Sequence, residues 1–154
     1  MGGNTATDYD GMLAELQREI ARREREIYSE TVLREARSPS HVGRLPVADA
    51  HGLVHGWCGD TMELYLRLAE GTIEEATFFT DGCGATLACG SMLCKMVTGM
   101  RVEEAEWVLP EDLVEALDGL PQESLHCADL TVSTLHNALL NWRVSQMEEQ
   151  EEAD

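Results

Sequence analysis

A two-residue alternation in residues 61–80 is the feature that most restricts the fold. The apolar residues that alternate with other side chains in DTMELYLRLAEG are Met62, Leu64, Leu66 and Leu68. Successive side chains of a strand point to opposite faces, so this period predicts a β-strand with one buried face. Glu70-Gly71 predicts a turn, and TIEEATFFT predicts a second strand beside the first. Residues 51–57 predict a third, weaker strand.

Elsewhere the apolar spacing is that of helices. The sequence predicts four: residues 10–36, a helix from Gly84 that Gly99 ends, a short one from Pro110 to Gly119, and a last one from about His126 to Arg143. A small antiparallel sheet of three strands with helices packed on it is an α+β fold. The tail EEQEEAD predicts a frayed, solvated acidic end.

The long N-terminal helix carries a narrow apolar stripe. Its members are Leu13, Leu16, Ile20 and Ile27, and Arg23 interrupts it. An apolar stripe stabilises a helix only when it is packed against another surface, because most helical stability in proteins comes from such packing. The stripe therefore predicts packing on the domain itself or on a second copy of the chain, and a homo-oligomer is one expected outcome.

The charge and the cysteine count exclude several classes of partner. The chain of 154 residues has a formal net charge of −18, which argues against nucleic-acid backbones and anionic membrane surfaces. No stretch reaches the ~20 apolar residues of a membrane span, and the polar start lacks a signal-peptide apolar region. An odd set of five cysteines predicts a reducing, cytoplasmic location and metal or thiol chemistry rather than a disulfide framework.

Three segments combine metal-binding side chains with permissive backbone. HGWCGDT places Cys58 and Asp60 around Gly59 at a strand end, DGCGAT places Cys83 before a helix, and SLHCADL opens the last helix with His126 and Cys127. The positive end of a helix favours negative charge, so Cys83 and Cys127 are both expected to lean toward the thiolate. From the residues alone, the set predicts either zinc or an iron–sulfur cluster. Cys89 shares the apolar face of the helix from Gly84 with Met92, and Cys94 lies about 140° around that helix. Both are therefore expected to be core or bystander residues and not ligands.

The order and wording of these segments resemble the IscU-type iron–sulfur cluster assembly scaffolds, which also form the N-terminal domain of NifU proteins. The resemblance starts at YSETVLREARSPSHVGRL and continues through CGDTMELYLRL, DGCGATLACGSML, GLPQESLHCADL and the closing helix. It covers about residues 28–143. Residues 1–27 are then an N-terminal helical extension, and residues 144–154 are the acidic C-terminal tail.

The resemblance implies a role for each residue that matches the family motif. Cys58, Cys83 and Cys127 would be cluster ligands, with Asp60 and His126 competing for the remaining position. Cys127 would be the acceptor of persulfide sulfur from a cysteine desulfurase. A labile [2Fe–2S] cluster would be built from iron and that sulfur and passed to recipient apoproteins, without enzymatic turnover by this chain.

One departure from the family and two alternatives qualify that prediction. The family's proline-valine-lysine run, which a dedicated chaperone reads, is replaced here by LPQES, so the resemblance does not extend to chaperone docking. The first alternative is a structural zinc protein that uses the same donors. The second is an adaptor whose N-terminal helix pairs with a partner while the cysteines stay idle.

Overall fold

The computed structural model describes residues 5–153, with side chains from residue 8 onward. In chain order the elements are α1 Thr5–Ile27, α2 Glu30–Arg37, β1 Ala50–His55, β2 Thr61–Ala69, β3 Thr72–Thr80, α3 Gly84–Val97, α4 Val102–Ala105, α5 Pro110–Ala116, the 3-10 turn Gln122–Ser124 and α6 Leu125–Ala153. The predicted α+β class is confirmed. Within residues 5–153, no helix has the length and apolar character needed to cross a membrane.

The three strands form one antiparallel sheet in the order β1-β2-β3, as the alternation predicts. Glu70 and Gly71 connect β2 and β3 with positive φ angles of 51° and 77°. Two central residues with positive φ match the right-handed twist of the flanking strands, which is why this short hairpin loop forms. The buried face of β2 and β3 is completely covered and consists of Met62, Leu64, Leu66, Ile73, Ala76 and Phe78.

Helices α3 and α6 cover that face, and two glycines let them approach closely. A Cβ on Gly90 of α3 would lie 2.4 Å from the Phe78 ring. A Cβ on Gly52 of β1 would lie 2.5 Å from the carbonyl oxygen of Thr134 on α6. Both helices are thereby fixed tightly on the sheet. Cys83 immediately precedes α3, and Cys127 lies in the first turn of α6.

The prediction of one helix over residues 10–36 is wrong, because the helix is interrupted at Tyr28 and Ser29. The Ser29 side chain caps α2 by accepting a hydrogen bond of 3.1 Å from the Val32 N–H. Its hydroxyl also donates to the carbonyl oxygen of Leu117, at 2.6 Å. The new helix start therefore depends partly on a residue 88 positions away. The apolar stripe of α1 is exposed instead of packed on the domain, so that part of the prediction is also wrong.

The last helix is longer than the sequence predicts. It continues past Arg143 to Ala153, so residues 144–153 form helical turns where a frayed tail is expected. This segment contains no Gly or Pro, and its Glu, Gln and Met residues have high helix propensity. The apolar spacing of this helix predicts that Ala128, Val132, Leu135, Leu139 and Trp142 face inward. The first four are buried, and Trp142 is half-buried against the same core.

A buried carboxylate joins α2 to α3. Glu35 is 1% exposed and accepts hydrogen bonds of 2.6 Å from both the Ser91 hydroxyl and the Lys95 ammonium group. Lys95 is the only lysine of the chain. Burial disfavours the charged form of Glu35, but these two donors outweigh burial and hold its pKa below the ordinary value. The ion pair thus fixes the helix that begins beside Cys83.

Candidate metal centre

The first part of the centre is the tight turn between β1 and β2. The Gly56 N–H bonds to the Asp60 carbonyl at 2.7 Å, and the Gly59 N–H bonds back to the Gly56 carbonyl at 3.0 Å. Gly59 has a φ of 95°, a conformation that side chains other than glycine rarely adopt. The turn leaves Cys58 exposed and Asp60 half-buried.

Cys83 occupies the residue immediately before α3, where the free N–H groups of the helix point toward it. Partial burial raises the pKa of its thiol. The Thr86 hydroxyl and the backbone N–H groups of Thr86 and Ala85 stabilise the thiolate more strongly, so the net pKa is lowered. The predicted tendency of Cys83 toward the thiolate is confirmed.

The same prediction is wrong for Cys127. This residue is only 1% exposed, and burial raises the pKa of its thiol to about 11. The negative groups of Cys83 and Asp60 add to the rise, whereas the Thr86 hydroxyl opposes it. Removal from water therefore exceeds the effect of the helix start, and Cys127 without metal is a neutral thiol at neutral pH.

All five residues predicted for the site lie together. The side-chain donor atoms of Cys58, Asp60 and His126 are within 4.8 Å of one another. The His126 Nε2 atom is 3.6 Å from the Cys127 Sγ atom. The exposed indole of Trp57 contacts the imidazole of His126 in a tilted arrangement, with 5.3 Å between ring centroids and 58° between the ring planes. The centre is open to solvent on the Cys58 side and closed on the Cys127 side.

Cys83 joins this group through a residue that the sequence reasoning missed. The Thr86 Oγ1 atom lies 3.6 Å from Cys83 Sγ, 3.4 Å from Cys127 Sγ and 3.4 Å from an Asp60 carboxylate oxygen. The available signal was the spacing of Thr86 from Cys83, since residues three apart on a helix face the same side. Of the two readings left open for Cys89 and Cys94, the structure shows the core, because both are buried, and burial raises the pKa of both thiols.

Three thiols, an imidazole and a carboxylate form a mixed donor set for a soft or borderline metal. The arrangement also matches known proteins. The family model described as the NifU-like N-terminal domain matches residues 27–149, which is most of the chain.

The chain belongs to the NifU-like N-terminal domain family.

Individual relatives agree with this NifU-like assignment. The protein is 35% identical over 117 residues to "Iron-sulfur cluster assembly scaffold protein IscU 1" of Archaeoglobus fulgidus, which covers 75% of this chain and 76% of that protein. It is 33% identical over 121 residues to the scaffold protein IscU of Escherichia coli, with coverage of 75% and 94%.

The fold of this NifU-like protein also matches a solved structure. The crystal structure of the N-terminal part of a NifU-like protein from Brucella abortus superposes with a TM-score of 0.59 at 20% identity. The superposition covers 80% of this chain and 95% of that one. At this identity the likeness concerns the fold alone, and it agrees with the sheet and helices described above.

Proposed function

We propose that this protein is a scaffold on which an iron–sulfur cluster is assembled and from which it is transferred. The observation that carries the proposal is the gathering of three thiols, an imidazole and a carboxylate at one partly open site. Cys58, Cys83 and Cys127 are the thiolate ligands, and Asp60 and His126 compete for the remaining position. The cluster, a [2Fe–2S] unit, is cargo of the site. Recipient apoproteins take it up, so the chain needs no catalytic turnover.

The graded exposure of the donors supports release as well as binding. Cys58 and Cys83 are exposed, whereas Cys127 is buried. A recipient thiol can therefore displace the outer ligands first while Cys127 still holds the metal. A permanent cluster is more often enclosed by four thiolates.

A zinc site is the second candidate function. The compact group of Cys58, Asp60 and His126 would suit a single tetrahedral ion together with one further thiolate. Zinc forms no coloured thiolate complex, so visible absorption that requires both iron and sulfide separates the two functions.

The adaptor alternative depends on the exposed apolar stripe of α1. The homo-oligomer stays a prediction, as does the lack of chaperone docking.

Cys127 is the residue that we propose as the acceptor of persulfide sulfur. We propose that its thiolate attacks the outer sulfur of a persulfide on a cysteine desulfurase. The donor's sulfur–sulfur bond breaks, the donor cysteine leaves as a thiolate, and the transferred sulfur stays bound to Cys127. His126 Nε2, at 3.6 Å, is placed to accept the thiol proton. The new sulfur would then lie among the remaining ligands, where two electrons from a reductant would convert it to the sulfide of the cluster.

Incubation with a cysteine desulfurase and cysteine, without iron, should put the persulfide on Cys127 in preference to the other cysteines. Alkylation followed by mass spectrometry of peptides measures its position. The matched control is Cys94, which has the same chemistry but is buried away from the site. Persulfide found mainly on exposed Cys83 or Cys58 would transfer the acceptor role to that residue.

Replacement of Asp60 by Ala is expected to slow cluster loss. A carboxylate oxygen is a harder donor than sulfur or imidazole and suits an iron–sulfur cluster less well. Its removal leaves the three cysteines and His126 to hold the cluster. Visible absorption during exposure to a chelator, and transfer to an apo-ferredoxin, measure the change. Faster loss from Asp60→Ala than from wild type would mean that the carboxylate is a stabilising ligand.

A further inference from the structure

The hydroxyl group of Thr86 faces three of the proposed ligands at once. Thr86 is fully buried in the first turns of α3. Its Oγ1 atom lies within 3.4–3.6 Å of Cys83 Sγ, Cys127 Sγ and a carboxylate oxygen of Asp60. A threonine hydroxyl has a single hydrogen to donate. These three acceptors therefore compete for one donor.

The backbone around Thr86 leaves room for this side chain. A Cβ on Gly82 would lie 2.7 Å from the Thr86 Cβ and 2.8 Å from its Oγ1. Those distances are shorter than any that packed carbon atoms normally adopt. The loop before α3 can thus approach the Thr86 side chain only because residue 82 is glycine. Hydrophobic packing alone does not account for the residue, since a valine of the same shape would bury no polar group.

We propose that Thr86 is a positioning residue whose hydroxyl donates a hydrogen bond to a ligand sulfur when metal is bound. Its Oγ1 atom lies as close to the Cys127 sulfur as to the Asp60 carboxylate, at 3.4 Å, and 3.6 Å from the Cys83 sulfur. A metal-bound sulfur carries negative charge, and charged acceptors form stronger hydrogen bonds than neutral ones. The hydroxyl then donates to Cys127 or Cys83, and Asp60 is left free to bind metal or leave it.

This role rests on the proposed function only for the identity of the cargo, because any thiolate-bound metal would produce it. A hydrogen bond to a ligating sulfur fixes its position and lowers the energy of its lone-pair electrons. Partners of this kind typically change metal affinity by 10–100-fold when they are removed. Thr86→Val keeps the shape of the side chain and deletes only the donor, whereas Thr86→Ser keeps the donor.

The test uses zinc and cobalt(II), each added to the full-length protein. Competition with a chromophoric chelator should show zinc affinity about 10-fold lower or more in Thr86→Val, with most of it restored in Thr86→Ser. The sulfur-to-cobalt charge-transfer band should move to longer wavelength in Thr86→Val alone. Thr134→Val is the matched control, because Thr134 is equally buried but donates to the Leu130 carbonyl at 2.7 Å.

The outcomes separate this role from the scaffold function. An unchanged zinc affinity and cobalt band in Thr86→Val would overturn the role of Thr86. Equal shifts in Thr86→Val and Thr134→Val would also overturn it, since general loosening of the core would then explain both. If zinc and cobalt respond as expected but the wild type forms no iron–sulfur cluster, the role of Thr86 stands and the scaffold function fails.

Discussion

Alanine at Cys58, Cys83 or Cys127 should lower the iron–sulfur content of anaerobically reconstituted protein at least about tenfold. Loss of a hydrogen-bond partner of a metal ligand already costs 10–100-fold in affinity, and loss of the ligand itself removes more. Each of these variants removes one of the three proposed sulfur ligands, and the other proposed donors are an imidazole and a carboxylate. Iron and acid-labile sulfide per chain, together with visible absorption, measure the loss.

The chain supplies its own controls for this experiment. Cys89→Ala and Cys94→Ala change the same type of side chain on α3, but their sulfurs lie in the hydrophobic core. Both control variants should load a cluster as the wild type does, after allowance for a slightly lower melting temperature. Bleaching by Cys89→Ala, with normal loading of Cys83→Ala, would refute the ligand assignment.

Replacement of Lys95 by Met should destabilise the protein by roughly 3 kcal/mol at neutral pH, as expected when a buried charge loses its partner. Glu35 is 1% exposed, and its negative charge is stabilised by the ion pair with Lys95 and the hydrogen bond from Ser91. Arg34 is its other cationic neighbour and lies further away. Lys95 is 43% exposed, so water replaces part of the lost interaction. Urea unfolding followed by circular dichroism measures the change in free energy.

The pH dependence of that loss follows from the lowered pKa of Glu35. A carboxyl group whose folded pKa is below its unfolded value contributes stability above the unfolded value, near 4.3 for Glu, and loses it as pH falls through the folded pKa. The advantage of wild type over Lys95→Met should therefore shrink in acid. Glu35→Met combined with Lys95→Met should recover stability, because it removes the unpaired charge. A stability difference that is small at pH 7 and independent of pH would contradict this account.

Local patterns were sufficient to predict the sheet and the cysteine segments. The alternation of apolar side chains from Met62 to Leu68 is enough to predict a strand. The backbone conformations that Glu70-Gly71 favours are enough to predict the turn. Neither needs information from elsewhere in the chain. The resemblance to the IscU-type scaffolds supplied the proposed roles, and the match of the family model to residues 27–149 confirms that resemblance.

The features that the sequence could not predict depend on residues far apart in the chain. Ser29 interrupts the N-terminal helix partly because the Leu117 carbonyl is within reach of its hydroxyl. Cys127 is a neutral thiol because the tertiary fold buries it, although its position near a helix start predicts a thiolate. Thr86 contacts Asp60 and Cys127 only after α3 and α6 have packed on the sheet. Residue propensities and the spacing of residues along the sequence do not predict any of these contacts.

The most direct test of the scaffold function is the iron and sulfide content of the wild-type protein. The protein would be incubated without oxygen with iron(II), cysteine, a cysteine desulfurase and a thiol reductant that converts persulfide sulfur to sulfide. It would then be separated from small molecules and mixed with an apo-ferredoxin. The account predicts equal amounts of iron and acid-labile sulfide bound to the protein, in the ratio of a [2Fe–2S] cluster, followed by their appearance on the ferredoxin. Tightly bound zinc with neither iron nor sulfide, under conditions that supply both, would contradict it.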